Sequence, residues 1–350
     1  MRRFLKILLI LLLLPAAVLL FLIIYATVTD YRPGEQVIVF QSDGSQDTLS
    51  DTVVYKMLIW NIGYGGLDSE MDFFYDGGKK VRTPESQLYQ NLDNIEDFLT
   101  ATGSVDFALF QEIDITAKRS YHVNEVQRFS DLFAGYSAYI GINYDVFFVP
   151  VPFSNPMGSV HSGLLSLSHL KPQEVSRFSF PGHYAWPKRL FMLDRCFLVM
   201  RYPVSDGKQL LVVNTHNEAY DDGSIRNQQM AYLKQFLLTE YEQGNYVVVA
   251  GDWNQCPPSF KPRFTGEVFD TIDYKGIEPD FLPSGWTWIY DNTKPSNRRI
   301  DIAYTKGKTR TTVIDFFLLS PNLQSVGCST TDLGFAWSDH QPVQIQIAFQ

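Results

Sequence analysis

The chain is 350 residues long, 45% apolar, 15% aromatic and 19% charged, which supplies a sizeable core and excludes a disordered or disulfide-stapled mini-protein. Its net charge is −9, and because Arg2, Arg3 and Lys6 precede the part that would fold, that part carries 26 basic against 38 acidic residues, or −12. Such a domain has no general attraction for polyanions, so a nucleic-acid or phosphoester substrate needs a bridging cation, and charge alone favours a small or neutral-headed one. Cys196, Cys256 and Cys328 are too few and too scattered for a disulfide framework or a zinc site and read as small buried hydrophobes.

From Ile7 to Thr29 no residue is charged, and the run is mostly Leu, Ile, Val, Ala and Phe behind the basic Met1–Lys6 end. That length can span a bilayer, whereas the apolar part of a cleavable signal peptide is shorter and ends in an Ala-x-Ala-like site that Tyr25 to Asp30 does not offer. The expectation is an uncleaved single-pass anchor over residues 1–29, with everything after Asp30 exported by the positive-inside rule. Residues 30–52 are polar and turn-rich and read as a linker that joins the fold late. The domain proper then runs over 53–350.

Val53 to Trp60 is the first strand candidate. Thr83-Pro84-Glu85 opens a helix in which Leu88, Leu92, Ile95 and Leu99 recur at helical spacing, and Gly103 closes it. Phe107–Phe110, Leu198–Tyr202 and Leu210–Val213 read as buried strands. Met230, Leu233, Leu237 and Tyr241 mark a second helix ending at Gly244, and Tyr246–Ala250 is apolar enough for a central strand. Val343–Phe349 mostly alternates, as a half-buried antiparallel strand does. Strands and helices mixed in this way imply an α/β fold of stacked sheets flanked by helices. Asp145–Gly163, with Phe147, Phe148 and Phe153, and the proline-rich Gln255–Asn297 read as long surface loops, the first a candidate lipid contact.

Polar groups fall where buried strands meet loops. Asn61 follows the first strand, Gln111-Glu112 the second, and Asn214-Thr215-His216-Asn217 the Leu210 strand. Gly251-Asp252-Trp253-Asn254 follows the most apolar strand, Arg298-Arg299-Ile300-Asp301 begins or sits within another, and Ser338-Asp339-His340 precedes the last. Singly these are ordinary turn formers. Six in order suit hydrolysis of a phosphate ester. The oxygen donors Asn61, Glu112, Asp252, Asn254, Asp301 and Asp339 suit Mg²⁺, Mn²⁺ or Ca²⁺ better than Zn²⁺, and His216 and His340 can move protons near neutral pH.

The ordered set Trp60-Asn61-Ile62, Leu109-Phe110-Gln111-Glu112, Val213-Asn214-Thr215-His216, Ala250-Gly251-Asp252-Trp253-Asn254, Arg299-Ile300-Asp301 and Trp337-Ser338-Asp339-His340 resembles the endonuclease/exonuclease/phosphatase superfamily. That superfamily includes DNase I-like nucleases, inositol-phosphate phosphatases and neutral sphingomyelinases. The resemblance covers about residues 53–350 and implies a four-layer α/β sandwich of two stacked mixed sheets, behind the transmembrane helix, in which metal-assisted water attacks phosphorus. It makes Glu112 the principal Mg²⁺ ligand (Mn²⁺ is the substitute), with Asn61 and Asp339 nearby. Asp252 and Asn254 would orient the water and a phosphate oxygen. His340 would be the general base or a transition-state donor, aligned by Asp301, and His216 would assist the leaving group, with Glu125 as a guessed partner. Two departures stand out: Trp253 replaces an aliphatic or Phe residue, and His169 stands where relatives often carry an arginine after a strand-end serine.

The function expected is an exported, membrane-anchored, monomeric phosphodiesterase for a small-molecule or lipid phosphoester. A nuclease acting on DNA or RNA is the first alternative, disfavoured by the scattered basic residues. A catalytically inactive binding protein is the second, and none of Glu112, Asp252 and His340 has been lost as it would require.

Overall fold

A computed structural model describes residues 2–270 and 276–350; Met1 and residues 271–275 of the long proline-rich segment lie outside the described residues. In chain order the elements are α1 Arg2–Val28, β1 Gln36–Gln41, β2 Tyr55–Asn61, α2 Glu85–Thr102, β3 Phe107–Ala117, α3 Glu125–Leu132, β4 Ser137–Val149, β5 Gly158–Ser168, β6 Glu174–Ser179, β7 Cys196–Pro203 and β8 Gln209–His216. There follow α4 Ser224–Glu242, β9 Tyr246–Asp252, β10 Val268–Phe269, β11 Thr287–Ile289, β12 Asn297–Arg298, β13 Arg310–Thr312, β14 Asp315–Leu319, β15 Leu323–Thr330 and β16 Val343–Phe349.

The strands form a seven-stranded sheet, β1-β6-β7-β8-β9-β14-β11, a six-stranded sheet, β15-β16-β2-β3-β5-β4, and a small three-stranded one, β10-β13-β12. Both large sheets are mixed: β2 runs parallel to β3 and β8 parallel to β9, with the other pairs antiparallel. Period-two alternation explains the layers. Met57, Ile59, Phe107 and Leu109 point inward from one sheet and meet Leu198, Met200, Val212, Val248 and Phe317 from the other in a shared core. Their outward neighbours Leu58, Trp60, Ala108 and Phe110 pack under α2 residues Leu88, Leu92, Ile95 and Leu99. Val199, Val213, Val249 and Phe316 pack under α4 residues Met230, Leu233 and Leu237. The expected mixed α/β architecture of stacked sheets is thus the one the chain adopts.

Several local readings change. The polar segment 30–52 contributes β1, which pairs antiparallel with β6 at the sheet edge, rather than serving only as a linker. Phe147 and Phe148 belong to β4, and Phe153 alone stands fully out at its tip. Trp253 fills the core beneath α4, stacked on Phe316 at 5.2 Å with its indole N–H donating to the Phe316 carbonyl, so an aromatic ring replaces an aliphatic one without disturbing the site. Cys196 and Cys256 are buried thiols and Cys328 is partly buried, as read.

Candidate active site

Strand ends deliver the site because β2 and β3, and β8 and β9, run parallel and finish on the same side. Asn61 ends β2 opposite Gln111 of β3, and His216 ends β8 opposite Asp252 of β9. Two backbone devices aim the carboxylates. A bulge interrupts the β3–β5 register between Phe110 and Ile113, and Glu112 within it takes a left-handed φ of 54°, a strained turn that swings its side chain into the cavity. Gly251 has φ 143°, and a Cβ there would sit 2.1 Å from the Thr215 carbonyl oxygen. Only glycine lets β9 approach β8 closely enough to set Asp252 beside His216.

The resulting cavity has a volume of about 480 Å³ and is lined by Glu112, Asp339, His216, Asp252, Asn254 and His340 among others. Asp252 is its hub. Its Oδ1 accepts the Asn254 backbone N–H at 2.9 Å, and its Oδ2 accepts the Asn61 amide at 3.0 Å. The same Oδ2 lies 3.4 Å from His216 Nε2 and 3.7 Å from His340 Nε2. Asn254, at a left-handed φ of 50°, donates its side-chain amide to the Asn217 carbonyl. These contacts bring together Asn61, Glu112, His216, Asp252, Asn254, Asp339 and His340, seven of the eight residues chosen from sequence.

The eighth is a correction. The carboxylate on His340 Nδ1 is Asp315, at 2.8 Å, not Asp301. Asp301 is more exposed and pairs with Arg299 at 3.4 Å. Asp315 is itself fixed by the Ser296 hydroxyl at 2.7 Å, and Asn297 faces His340 Nε2 at 3.0 Å. The sequence carries four Ile-Asp pairs, at 113–114, 272–273, 300–301 and 314–315, and of the last two only Ile314-Asp315 runs into a buried strand, Phe316-Phe317-Leu318-Leu319. Glu125 is corrected as well: it is buried and accepts the Asp114 backbone N–H at 2.8 Å, while the carboxylate beside His216 is Asp252. His169 follows Ser168, which ends β5 opposite Phe107 at the sheet end away from the site, and lies 3.5 Å from Asp106, so the missing arginine there costs the cavity nothing.

Sequence reading also missed Arg119. It is buried, holds Asp114 with two donors at 2.8 and 3.1 Å, stacks 3.8 Å over the Tyr64 ring and places Nη1 3.9 Å from Glu112. No strand-end rule would find it, since it sits in a short helical turn after β3.

Electrostatics divide the two histidines. Burial pulls His340 down, but Asp315, Asp339 and Asp252 more than reverse this and hold it up at about 10, so it is an imidazolium at neutral pH. Burial, then Arg195, His340 and Arg119, push His216 well below its ordinary value, so it stays neutral. Its Nδ1 has no hydrogen-bond partner among the described residues. Asp252 is raised by burial, with His340 opposing. Asp339 is pushed up to about 7 by burial, offset by His340 and reinforced by Glu112.

The oxygen donors Glu112 and Asp339, the charge of the first raising the charging cost of the second, line a cavity without a cysteine and fit a hard divalent cation. Asn61 donates its amide N–H to Glu112 at 3.3 Å and accepts the Gly63 N–H on its side-chain oxygen, so it bridges Glu112 and Asp252 more directly than it offers a ligand. Asp252, Asp315 and His340 also bring three metal-capable atoms within 4.8 Å, although their mutual hydrogen bonds already occupy several of them.

The Endonuclease/Exonuclease/phosphatase family model matches residues 58–340. No curated protein matches the sequence. Solved structures similar in fold include an endonuclease/exonuclease/phosphatase from Bacteroides vulgatus (15% identity, TM-score 0.53, covering 85% of this chain and 100% of the other). Also similar are D. rerio TDP2 complexed with single strand DNA product (14%, 0.52, 84% and 98%) and ANGEL2, a 2′,3′-cyclic phosphatase (14%, 0.52, 85% and 95%).

Proposed function

Because the chain belongs to the Endonuclease/Exonuclease/phosphatase family, whose members are typically hydrolases of phosphoester bonds, we propose that it is a Mg²⁺-dependent phosphodiesterase, with Mn²⁺ as substitute. It is anchored by α1 with its catalytic domain outside the cytoplasm. The observation that carries this reading is the convergence on one cavity of Glu112, Asp339, Asp252, Asn254, His216 and His340, the last held from behind by Asp315.

Glu112 and Asp339 would hold the cation, which when bound supplies Lewis-acid stabilisation of charge on phosphate oxygens. Asp252, ionised above its raised pKa and fixed at both oxygens, orients the attacking water and takes its proton. His340, cationic and locked through Nδ1 by Asp315, presents charge to the phosphate as negative charge builds in the transition state. This favours the donor role for His340 over the general-base role. Asn254 holds a phosphate oxygen, and the neutral His216 faces the leaving group.

Purified full-length protein in detergent, offered bis(4-nitrophenyl) phosphate, sphingomyelin, inositol phosphates, DNA and RNA with and without Mg²⁺, tests the proposal. Mg²⁺-dependent cleavage of a diester is expected. Turnover of DNA or RNA alone would instead make it a nuclease, and no turnover of any would favour a binding protein.

A further inference from the structure

The helix α1 is bare over most of its length. Every described side chain from Leu9 to Phe21 is exposed, and Leu22 is the first to be partly covered. Ile7 to Phe21 is 15 residues, roughly 22 Å of helix, which falls short of the about 30 Å of hydrocarbon in a bilayer. The apolar stretch Leu9–Val28 reaches that length only by including Leu22–Val28, the turns against which the domain packs. Whatever touches those turns therefore shares their depth.

Two segments touch them. The Phe147 ring stands 4.9 Å from the Tyr25 ring, and the Trp186 indole N–H donates to Thr27 Oγ1 at 3.2 Å. Around these contacts the domain exposes Phe147, Val151, Trp186 at 56% and Phe153 at 97%. Rings of this kind, with an apolar body and in Trp a polar edge, are suited to the membrane–water boundary. The segments bearing them continue into Met157 and into Lys188, Phe191, Met192 and Leu193, which form one wall of the catalytic cavity.

We propose that the surface made by Phe147, Val151, Phe153 and Trp186 lies in the bilayer interface beside the emerging end of α1, so that the cavity opens onto phosphodiesters in membrane-lipid headgroups. The inference rests on α1 being embedded and on the site being a phosphodiesterase. The occupant is lipid because an uncovered apolar helix of spanning length ends at this patch. Lys188, set 3.8 Å over the Tyr184 ring, places a cation at the cavity wall where a headgroup phosphate would enter.

Nitroxide depth measurement in the full chain tests the placement. In a Cys328→Ser background, Phe153→Cys, Leu14→Cys and Val326→Cys are labelled separately and reconstituted into phosphatidylcholine–phosphatidylglycerol vesicles. Cys196 and Cys256 are buried, and the unsubstituted Cys328→Ser protein, treated with the same label, gives the background signal. Val326 is exposed on β15, at the sheet edge opposite β4, and reports water. The label at 153 should collide with oxygen more than with a water-soluble nickel chelate, approaching the label at 14. A label at 153 as open to nickel as that at 326 overturns the inference, as does one shielded from both reagents, which would indicate a protein partner. If the label at 14 is also in water, the anchor reading fails and takes the inference with it.

Turnover separates the substrate claim. Phe153→Ser combined with Trp186→Ser should lower hydrolysis of vesicle phospholipid by roughly tenfold or more and leave bis(4-nitrophenyl) phosphate hydrolysis unchanged. Equal loss on both substrates, or none on lipid, contradicts it. Wild-type protein that cleaves the soluble diester and no lipid overturns the substrate class while the phosphodiesterase reading stands.

Discussion

His340 shows how much one neighbour decides. Its two ring nitrogens meet different partners, Asp315 at 2.8 Å on one side and Asn297 at 3.0 Å on the other, so the orientation of the ring is fixed before substrate arrives. His340→Ala and Asp315→Asn should each lower kcat by about 10²-fold or more with little change in folding. The double variant should be barely worse than His340→Ala, since the pair acts as one unit. Asp301→Asn should leave kcat within about threefold of wild type, in keeping with the small effects of surface changes; steady-state kinetics on a soluble diester decides between the two aspartates. The pH profile follows from the same contacts. Activity should rise as Asp252 ionises and fall as His340 loses its proton near pH 10. Removing the Asp315 charge leaves burial to pull His340 down, so the alkaline limb should move to lower pH in Asp315→Asn. An unmoved limb would show that another group titrates there. Asp301 was the wrong choice from sequence because Arg299-Ile300-Asp301 looks like a strand edge in one dimension. The apolar run after Ile314-Asp315 held the better signal, and register with β9, Asp315 opposite Asp252, is what delivers it to the site.

Elements were legible in proportion to their periodicity. The heptad-like spacing of Leu88, Leu92, Ile95 and Leu99 gave α2 within a residue or two, and the unbroken apolar run Tyr246–Ala250 gave β9. The short strands β10, β11 and β13 were not legible, because two or three residues carry no period, and the strand expected at Arg298–Asp301 is only the two-residue β12, Asn297–Arg298. Neither was the bulge at Glu112, a left-handed residue that propensity cannot announce. Straightening that bulge should move the carboxylate out of the cavity: deletion of Gln111, which restores a regular ladder, should abolish metal-dependent turnover more thoroughly than Glu112→Gln does. Helix α1 makes a separate prediction. With a 20-residue uncharged, predominantly apolar stretch over Leu9–Val28, the chain should stay with membranes after carbonate washing, and its C-terminus should resist protease added from the cytoplasmic side. Recovery of a soluble mature chain starting near Thr27 to Tyr31 would identify a cleaved signal sequence instead.

On the scale of the whole molecule, an acidic domain gathers four carboxylates, Asp76, Glu112, Asp252 and Asp339, in one cavity. Asp339 is held at about 7 and Asp76 at about 6, each chiefly by burial, against about 4 in an unfolded chain. Groups raised in this way bind protons on folding, so their stabilisation is present at low pH and is lost as pH climbs through the folded values. In chelator, the Tm of the full chain in detergent should therefore fall between pH 5 and pH 8, and Asp339→Asn should flatten that slope. Divalent cation should restore Tm at pH 8, because an ion that binds only the folded state stabilises it by mass action. A Tm that rises over this range in chelator would mean the carboxylates are already compensated by other groups.

The most direct test of the central claim is hydrolysis of bis(4-nitrophenyl) phosphate by full-length protein stripped with EDTA and then titrated with Mg²⁺, beside Glu112→Gln treated identically. Wild-type activity should vanish on stripping and return with Mg²⁺, and Glu112→Gln should need far more cation and recover little, because a neutral amide attracts a dication much less than a carboxylate does. Full-rate hydrolysis by the stripped wild type, or an unchanged Mg²⁺ dependence in Glu112→Gln, would contradict the account.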